Sequence, residues 1–211
     1  MTDSIKDLKW RYAVKKFDSE RMLSDSKVKK LKEAFNLTAT SYGLQPIRMV
    51  VLQNKEVQKK LVQHTYNQQQ VHQASHVLVI CIEKNIDGPY IANYFDRVKE
   101  VRGTSDEILN PFKNGVIKVF SKKSIKEIYK WATNQAYLAM GNLLTVCAVE
   151  KIDSCPMEGF IPAGYDDVLQ LDNENLTSVL VMPVGFRADD DILAELKKVR
   201  KDLNDSIIEI L

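Results

Sequence analysis

The run Ser124-Ile125-Lys126-Glu127 constrains this chain most, because it specifies a helix start that needs no partner from elsewhere in the sequence. A cap serine and a glutamate three residues on satisfy each other's free backbone N–H groups in a capping box. From there the apolar spacing predicts a helix to about Val149, a long element for a chain of 211 residues. Its apolar line is Ile128, Ala132, Ala136, Ala139 and Leu143, while Trp131 and Tyr137 lie off that line. Small side chains there let another helix approach closely. Two packings stay open: a core helix inside one chain, or a helix packed across a dimer axis.

Three short apolar runs, Ile47 to Leu52, Val77 to Glu83 and Ser178 to Val184, read as buried strands. Helical patterns separate them. Ser24 can cap a helix with Val28, Leu31 and Phe35 on one face and Lys27, Lys29, Lys30 and Lys32 on a solvated one. Pro89 suits the first turn of a helix carrying Ile91, Tyr94, Phe95, Val98 and Val101, which Gly103 can end. Residues 104–123 are less regular, and Pro111 is expected to open a short helix there. The alternation leaves two arrangements open, mixed α/β or α+β. The apolar end Ser206-Ile-Ile-Glu-Ile-Leu211 needs a sheet edge to cover it, its own or a partner's.

Composition narrows the function classes. With 45% apolar residues the chain can bury a core unaided, and 1–211 is expected to form one domain. Lys and Arg total 30 against 28 Asp and Glu, so a net charge of +2 gives no case for nucleic acid or membrane as partner. The opening MTDSIKDLKW lacks an apolar stretch, and the longest apolar run, Val77 to Ile82, is too short to span a bilayer. We therefore expect a cytoplasmic protein. Cys81, Cys147 and Cys155 are widely spaced among apolar neighbours, as reduced core thiols are.

No GxGxxG, Walker loop, HExxH or CxxC occurs, and His64, His72 and His76 have no nearby acid or thiol to complete a metal site. An anionic ligand would then need side-chain cations. Two sets are available at opposite ends of the chain: Arg11 with Lys15 and Lys16, and Lys197-Lys198-Val199-Arg200-Lys201. Converging, they would make a phosphate site, since Arg offers a planar fork and Lys a point charge. Exposed helix-end charges are the plainer reading of the same residues.

The order of the segments decides between these. Arg11-Tyr-Ala-Val-Lys15-Lys-Phe-Asp18, Thr40-Ser41-Tyr-Gly-Leu-Gln45-Pro46, Asn67-Gln-Gln-Gln70 before Ala74-Ser75-His76, Pro156-Met-Glu158-Gly159-Phe160, Pro183-Val-Gly185 and Lys198-Val-Arg200 occur in one chain. Together, from about Trp10 to Arg200, they resemble the nitroreductase family of FMN proteins, in its oxygen-insensitive nitroreductase and dihydropteridine reductase branch. The resemblance implies an α+β fold with a central mixed sheet flanked by helices, in an intertwined homodimer with a swapped C-terminal tail. It implies that Arg11, Lys198 and Arg200 grip the flavin phosphate and that Lys15 reaches the pyrimidine end of the ring. It places Tyr12 and Ala13 in the same cofactor-binding segment, Asn67 at the polar edge, and Gln70 where a second lysine is often found. Glu158 and Gly159 match the segment whose backbone N–H groups face flavin N5. Thr40, Ser41 and Gln45 match a loop covering the partner's flavin, and Gln135 a residue that also reaches across. Tyr12, Ala13, Tyr42 and Gly43 depart from the His, Ser, Thr and Asn commoner in the branch. Phe112 and Phe120 fall in a variable excursion over the flavin, where an aromatic can stack on substrate or simply pack.

The implied activity is ping-pong two-electron transfer: NADH or NADPH gives hydride to FMN N5, and nitroaromatics, quinones or pteridines then receive it, with protons from water. Alternatives are a reductase of a specific enone or other metabolite with incidental nitro reduction, a flavin-sequestering protein without turnover, and a dimeric helical interaction module that would be colourless.

Overall fold

The computed structural model describes residues 3–210. In chain order the elements are α1 (Ser4–Trp10), α2 (Asp25–Asn36), β1 (Ile47–Leu52), α3 (Lys55–Val62), α4 (Gln70–Gln73), β2 (His76–Glu83), α5 (Gly88–Arg102), α6 (Asp106–Phe120), α7 (Ile125–Val149), β3 (Asp153–Ser154), α8 (Pro162–Val168), β4 (Leu176–Gly185) and α9 (Leu203–Ser206). This is an α+β fold. The four strands lie in the order β1-β2-β4-β3, and every pairing between them is antiparallel. The expected mixing of strand directions reduces to one parallel bridge, Ala13 to Ser154, where the N-terminal segment runs beside β3.

The α7 start is as its sequence specifies: Ser124 N–H donates to Glu127 Oε2 at 2.8 Å, and Glu127 N–H to Ser124 Oγ at 3.3 Å. Its alanine line packs on the chain's own sheet. Ala132, Ala136, Ala139 and Leu143 are fully buried in one cluster with Leu78, Ile80 and Ile82 of β2 and Leu180 and Met182 of β4. Alternate residues of β2, Val77, Val79 and Cys81, face the opposite side, where Val14, Phe17, Leu61 and Tyr165 cover them. Because β2 is buried on both faces, it reads in sequence as an unbroken apolar run.

Ser24 caps α2, whose Val28 and Leu31 are buried. Two of its lysines, Lys27 and Lys30, hold Glu150 at the end of α7, the latter as an ion pair of 2.7 Å. Asp87 caps α5 through Tyr90 N–H, and Gly103 ends it at φ +66°. Pro111 does not open a helix; it lies inside α6, which starts after Ser105. Proline removes one N–H from the ladder, but packing carries the helix through. Phe112 meets Phe95 of α5 edge-on at 5.6 Å, and Val116 and Phe120 are buried.

Beyond α9 the tail does not dock on its own sheet. Ile207, Ile208 and Ile210 are exposed, the last two almost completely. Leu211, the end of the apolar tail, lies outside the described residues.

Candidate functional site

The segment after α1 is fixed by its aromatic and acidic neighbours. Val14 N–H donates to Ser154 O at 3.2 Å, and Asp18 N–H to Phe186 O at 2.9 Å. Arg187 stacks between the rings of Trp10 and Tyr12, 4.5 Å from each, and its Nε donates to Asp153 Oδ1 at 2.8 Å. Held this way, Arg11, Tyr12, Ala13 and Lys15 line a cavity of about 340 Å³ whose other wall includes Lys198 and Arg200. The two ends of the chain meet there, and Lys198 Nζ donates to Arg11 O.

The electrostatics of this cavity are one-sided. Burial, then the Arg200 charge, pulls the Arg11 guanidinium below its ordinary pKa. Burial, then Arg11 and Arg200, does the same to Lys198. Arg11 Nε is buried with no hydrogen-bond partner among the described residues. Among the described residues, no ion pair links Arg11, Lys15, Lys198 or Arg200 to a carboxylate, whereas neighbouring Lys16 is paired with Asp190. Like charges brought together without a counter-charge have the chemistry to accept an anion.

A second group adjoins the first through one sulfur. Lys15 Nζ lies 3.6 Å from Cys155 Sγ, and burial raises that thiol's pKa while Lys15 and Gln70 oppose the rise. Gln70 is buried, and its amide donates to Gln68 Oε1 at 2.9 Å. Gln68 in turn donates to Gly159 O at 3.0 Å. Met157 is paired in both directions with Val181 of β4, which holds the 156–159 segment against the sheet. The next two N–H groups, of Glu158 and Gly159, donate to no acceptor among the described residues, and both residues are exposed. Asn67 is exposed beside them at φ +60°, next to Tyr66 at φ +51°. Alongside lies a cavity of about 460 Å³ between α7 and this segment, lined by Tyr137, Met140, Gly141, Met157, Glu158 and Leu180 among others. The Tyr137 phenol is raised in pKa, first by the nearby Glu158 carboxylate and then by burial.

The third group is separate. Ser41 N–H donates to Gln135 Oε1 at 2.8 Å, and Gln135 Nε2 to Trp131 O at 3.0 Å, so this buried amide is satisfied within its own chain. Gln45 N–H donates to Thr40 Oγ1 and Gln45 Nε2 to Asn36 O, each at 3.0 Å. Phe120 packs edge-on between Tyr42 and Trp131, while Phe112 is exposed. Among the described residues, no hydrogen bond joins Thr40, Ser41, Gln45 or Gln135 to the other two groups. Sequence reasoning missed Arg187, Gln68 and Asp191. The acidic run Asp189-Asp190-Asp191 before the basic run was the available signal, but it does not say which acid turns inward.

Comparison with known proteins agrees on one family. The sequence model described as Nitroreductase family matches residues 8–186. A Staphylococcus epidermidis protein, provisionally named an NAD(P)H nitroreductase, is 31% identical over 202 residues and 92% of each chain. Among solved structures, a Bacillus subtilis protein provisionally called a nitroreductase superposes with a TM-score of 0.86 at 18% identity over 98% of each chain. An Exiguobacterium sibiricum protein, provisionally called a nitroreductase and solved in complex with FMN, gives 0.83 at 19% identity, covering 100% of this chain and 98% of that one.

Proposed function

The chain belongs to the nitroreductase family of oxidoreductases, and from that premise we propose that it binds FMN and transfers electrons from NADH or NADPH to flat, electron-poor acceptors. One observation carries the proposal: Arg11, Lys198 and Arg200 converge without a counter-charge, with Arg11 Nε buried and unpartnered. A monoester phosphate fits that donor set, and the structural relative crystallised with FMN supports the same ligand. When bound, FMN supplies two-electron hydride chemistry at N5.

The chain's own residues would then divide the work. Arg11, Lys198 and Arg200 hold the phosphate, beside Tyr12 and Ala13. Lys15, with no carboxylate partner, supplies positive charge at the pyrimidine end, where fixed cations favour electron uptake. Asn67 and Gln70 serve the polar edge as neutral amides. The free N–H groups of Glu158 and Gly159 give fixed polarity at N5 without adding a titrating group. Acceptors of the nitroaromatic, quinone or pteridine type would occupy the adjoining cavity, with protons taken from water.

A homodimer completes the reading. Thr40, Ser41 and Gln45 are remote from the cation cavity in hydrogen-bonding terms, which fits a loop that covers the flavin of a second copy. The exposed Ile207, Ile208 and Ile210 need a sheet edge, and a groove of about 320 Å³ beside β1, lined in part by Phe35, Ile47, Met49 and Val51, offers one on a partner. We read residues 1–211 as one such FMN-binding unit, in the cytoplasm; no helix among the described residues is long and apolar enough to cross a membrane.

Anaerobic spectral titration of FMN-loaded protein with NADH and with NADPH tests this. Bleaching of the flavin bands, and their return on adding a quinone or nitroaromatic, is the expected result. Protein that stays colourless after incubation with excess FMN ends the proposal. Yellow protein that neither nucleotide bleaches makes the chain a flavin-holding protein without turnover.

A further inference from the structure

Asp191 is an acid placed inside the support of a cation site that it does not neutralise. It is 4% exposed, at the start of the turn Ile192–Glu195, where its Oδ1 accepts Leu193 N–H at 3.1 Å. Its Oδ2 collects three donors from the other end of the chain: Tyr12 Oη at 3.0 Å, Lys15 N at 3.1 Å and Lys16 N at 3.3 Å. Burial would raise its pKa, but the bonds from Leu193, Lys15, Tyr12 and Lys16 outweigh burial and hold it below the usual carboxylate value. Tyr12 is shifted the opposite way, by burial and then by Asp191, so its hydroxyl remains a donor.

The two adjacent acids sort the two adjacent lysines. Exposed Asp190 takes the Lys16 ammonium, while Asp191 takes only the backbone N–H groups of both lysines. The Lys15 side chain instead points to Cys155. The same clamp ties the 12–16 segment to the chain that continues into Lys198 and Arg200, where it acts together with the bonds from Ala188 N–H to Lys16 O and from Lys198 Nζ to Arg11 O.

Resting on the FMN reading above, we propose that Asp191 is a positioning residue for the phosphate site: it anchors the N-terminal cations relative to the C-terminal ones and so strengthens the chain's preference for FMN over riboflavin. The carboxylate touches no ligand and acts through Arg11, Tyr12 and Lys15. An asparagine cannot reproduce it, because its NH2 accepts no hydrogen bond and either the Leu193 side or the Tyr12 and lysine side must be lost.

The test measures dissociation constants for FMN and for riboflavin, by quenching of flavin fluorescence, on full-length wild type, Asp191→Asn and Tyr12→Phe, with the unfolding midpoint of each apoprotein. Wild type should prefer FMN. In Asp191→Asn the FMN affinity should fall by about tenfold or more, the loss expected of hydrogen bonds to a charged group, while riboflavin changes by less than about threefold. Tyr12→Phe keeps the carboxylate and both lysine N–H bonds, and should lower the FMN to riboflavin ratio by about threefold even if the Asn variant does not fold. An unchanged ratio in a folded Asp191→Asn protein, or a parallel loss of both flavins with a lowered midpoint, overturns the proposal and leaves the FMN reading intact. Wild type with no preference for FMN overturns both.

Discussion

Arg200→Gln should weaken ligand binding without lowering stability, and that separation distinguishes a ligand site from a structural charge cluster. The Arg200 charge bears on both Arg11 and Lys198. Arg11 is half-buried, while Lys198 and Arg200 are exposed, so water screens the repulsion heavily. Its relief in the apoprotein is therefore worth a few tenths of a kcal/mol, at most about 1. The same substitution removes a charged donor to phosphate, worth about 1.5–3 kcal/mol or roughly 10–150-fold in affinity. Denaturant unfolding of the apoprotein should show an unchanged or slightly higher midpoint, and fluorescence titration should show weaker FMN binding by one to two orders of magnitude, on the order of that free energy. Raising the salt to about 1 M, where the screening length is only about 3 Å, should narrow the affinity gap between wild type and variant. FMN affinity within about twofold of wild type, or a midpoint that falls together with the affinity, would show that the cations do not form the phosphate site.

Other expectations concern single residues. Gln70→Lys adds positive charge beside the Gln68 and Met157 contacts that the amide now makes, and it should raise the two-electron reduction potential of bound flavin; spectroelectrochemistry showing no upward shift counts against the placement of Gln70 at the ring edge. Ser75 Oγ accepts Leu23 N–H at 2.8 Å and is hydrogen-bonded to His76 Nδ1, also at 2.8 Å. Burial, then Lys55 and Lys32, lowers the His76 pKa from 6.5. The unfolded chain therefore takes up this proton first, and stability should fall as pH drops below about 6.5 towards the depressed value. His76→Gln should flatten that part of the stability profile, measured by denaturant unfolding across the acid range. Gly43 sits at φ +73°, where a Cβ would strike the Tyr94 hydroxyl. Gly43→Ala should destabilise by about 1–3 kcal/mol, with partial rescue by Tyr94→Phe; an unaltered thermal midpoint would contradict the packing of this loop.

The fold was legible where one local pattern sufficed. The capping box at Ser124 set the start of α7, Ser24 and Pro89 with Gly103 set α2 and α5, and the apolar runs placed β1, β2 and β4 to within two residues. Patterns that depend on contacts between distant segments were not legible. The burial of the alanine line against the sheet, rather than against a second copy, depends on how far α7 stands from β2 and β4. Pro111 reads as a boundary because the α5 packing that overrides it is not local. At the site, the meeting of Arg11 with Lys198 and Arg200 followed from the family resemblance, and the structure brings these residues to one cavity. The inward turn of Asp191 carried no such sign, since Asp189 and Asp190 beside it are chemically identical.

Among the described residues, four of the seven non-glycine residues with left-handed backbones, Tyr42, Gln45, Tyr66 and Asn67, fall in two short loops among the candidate site groups. Such conformations cost of order 1 kcal/mol or more each and persist only where the surroundings enforce them. These loops thus act as loaded springs whose release would favour heat resistance and blur the pocket. Directed evolution screened on melting alone should drift towards glycine at Tyr42 and Tyr66, and the variants it returns should resist heat better while discriminating less among acceptors.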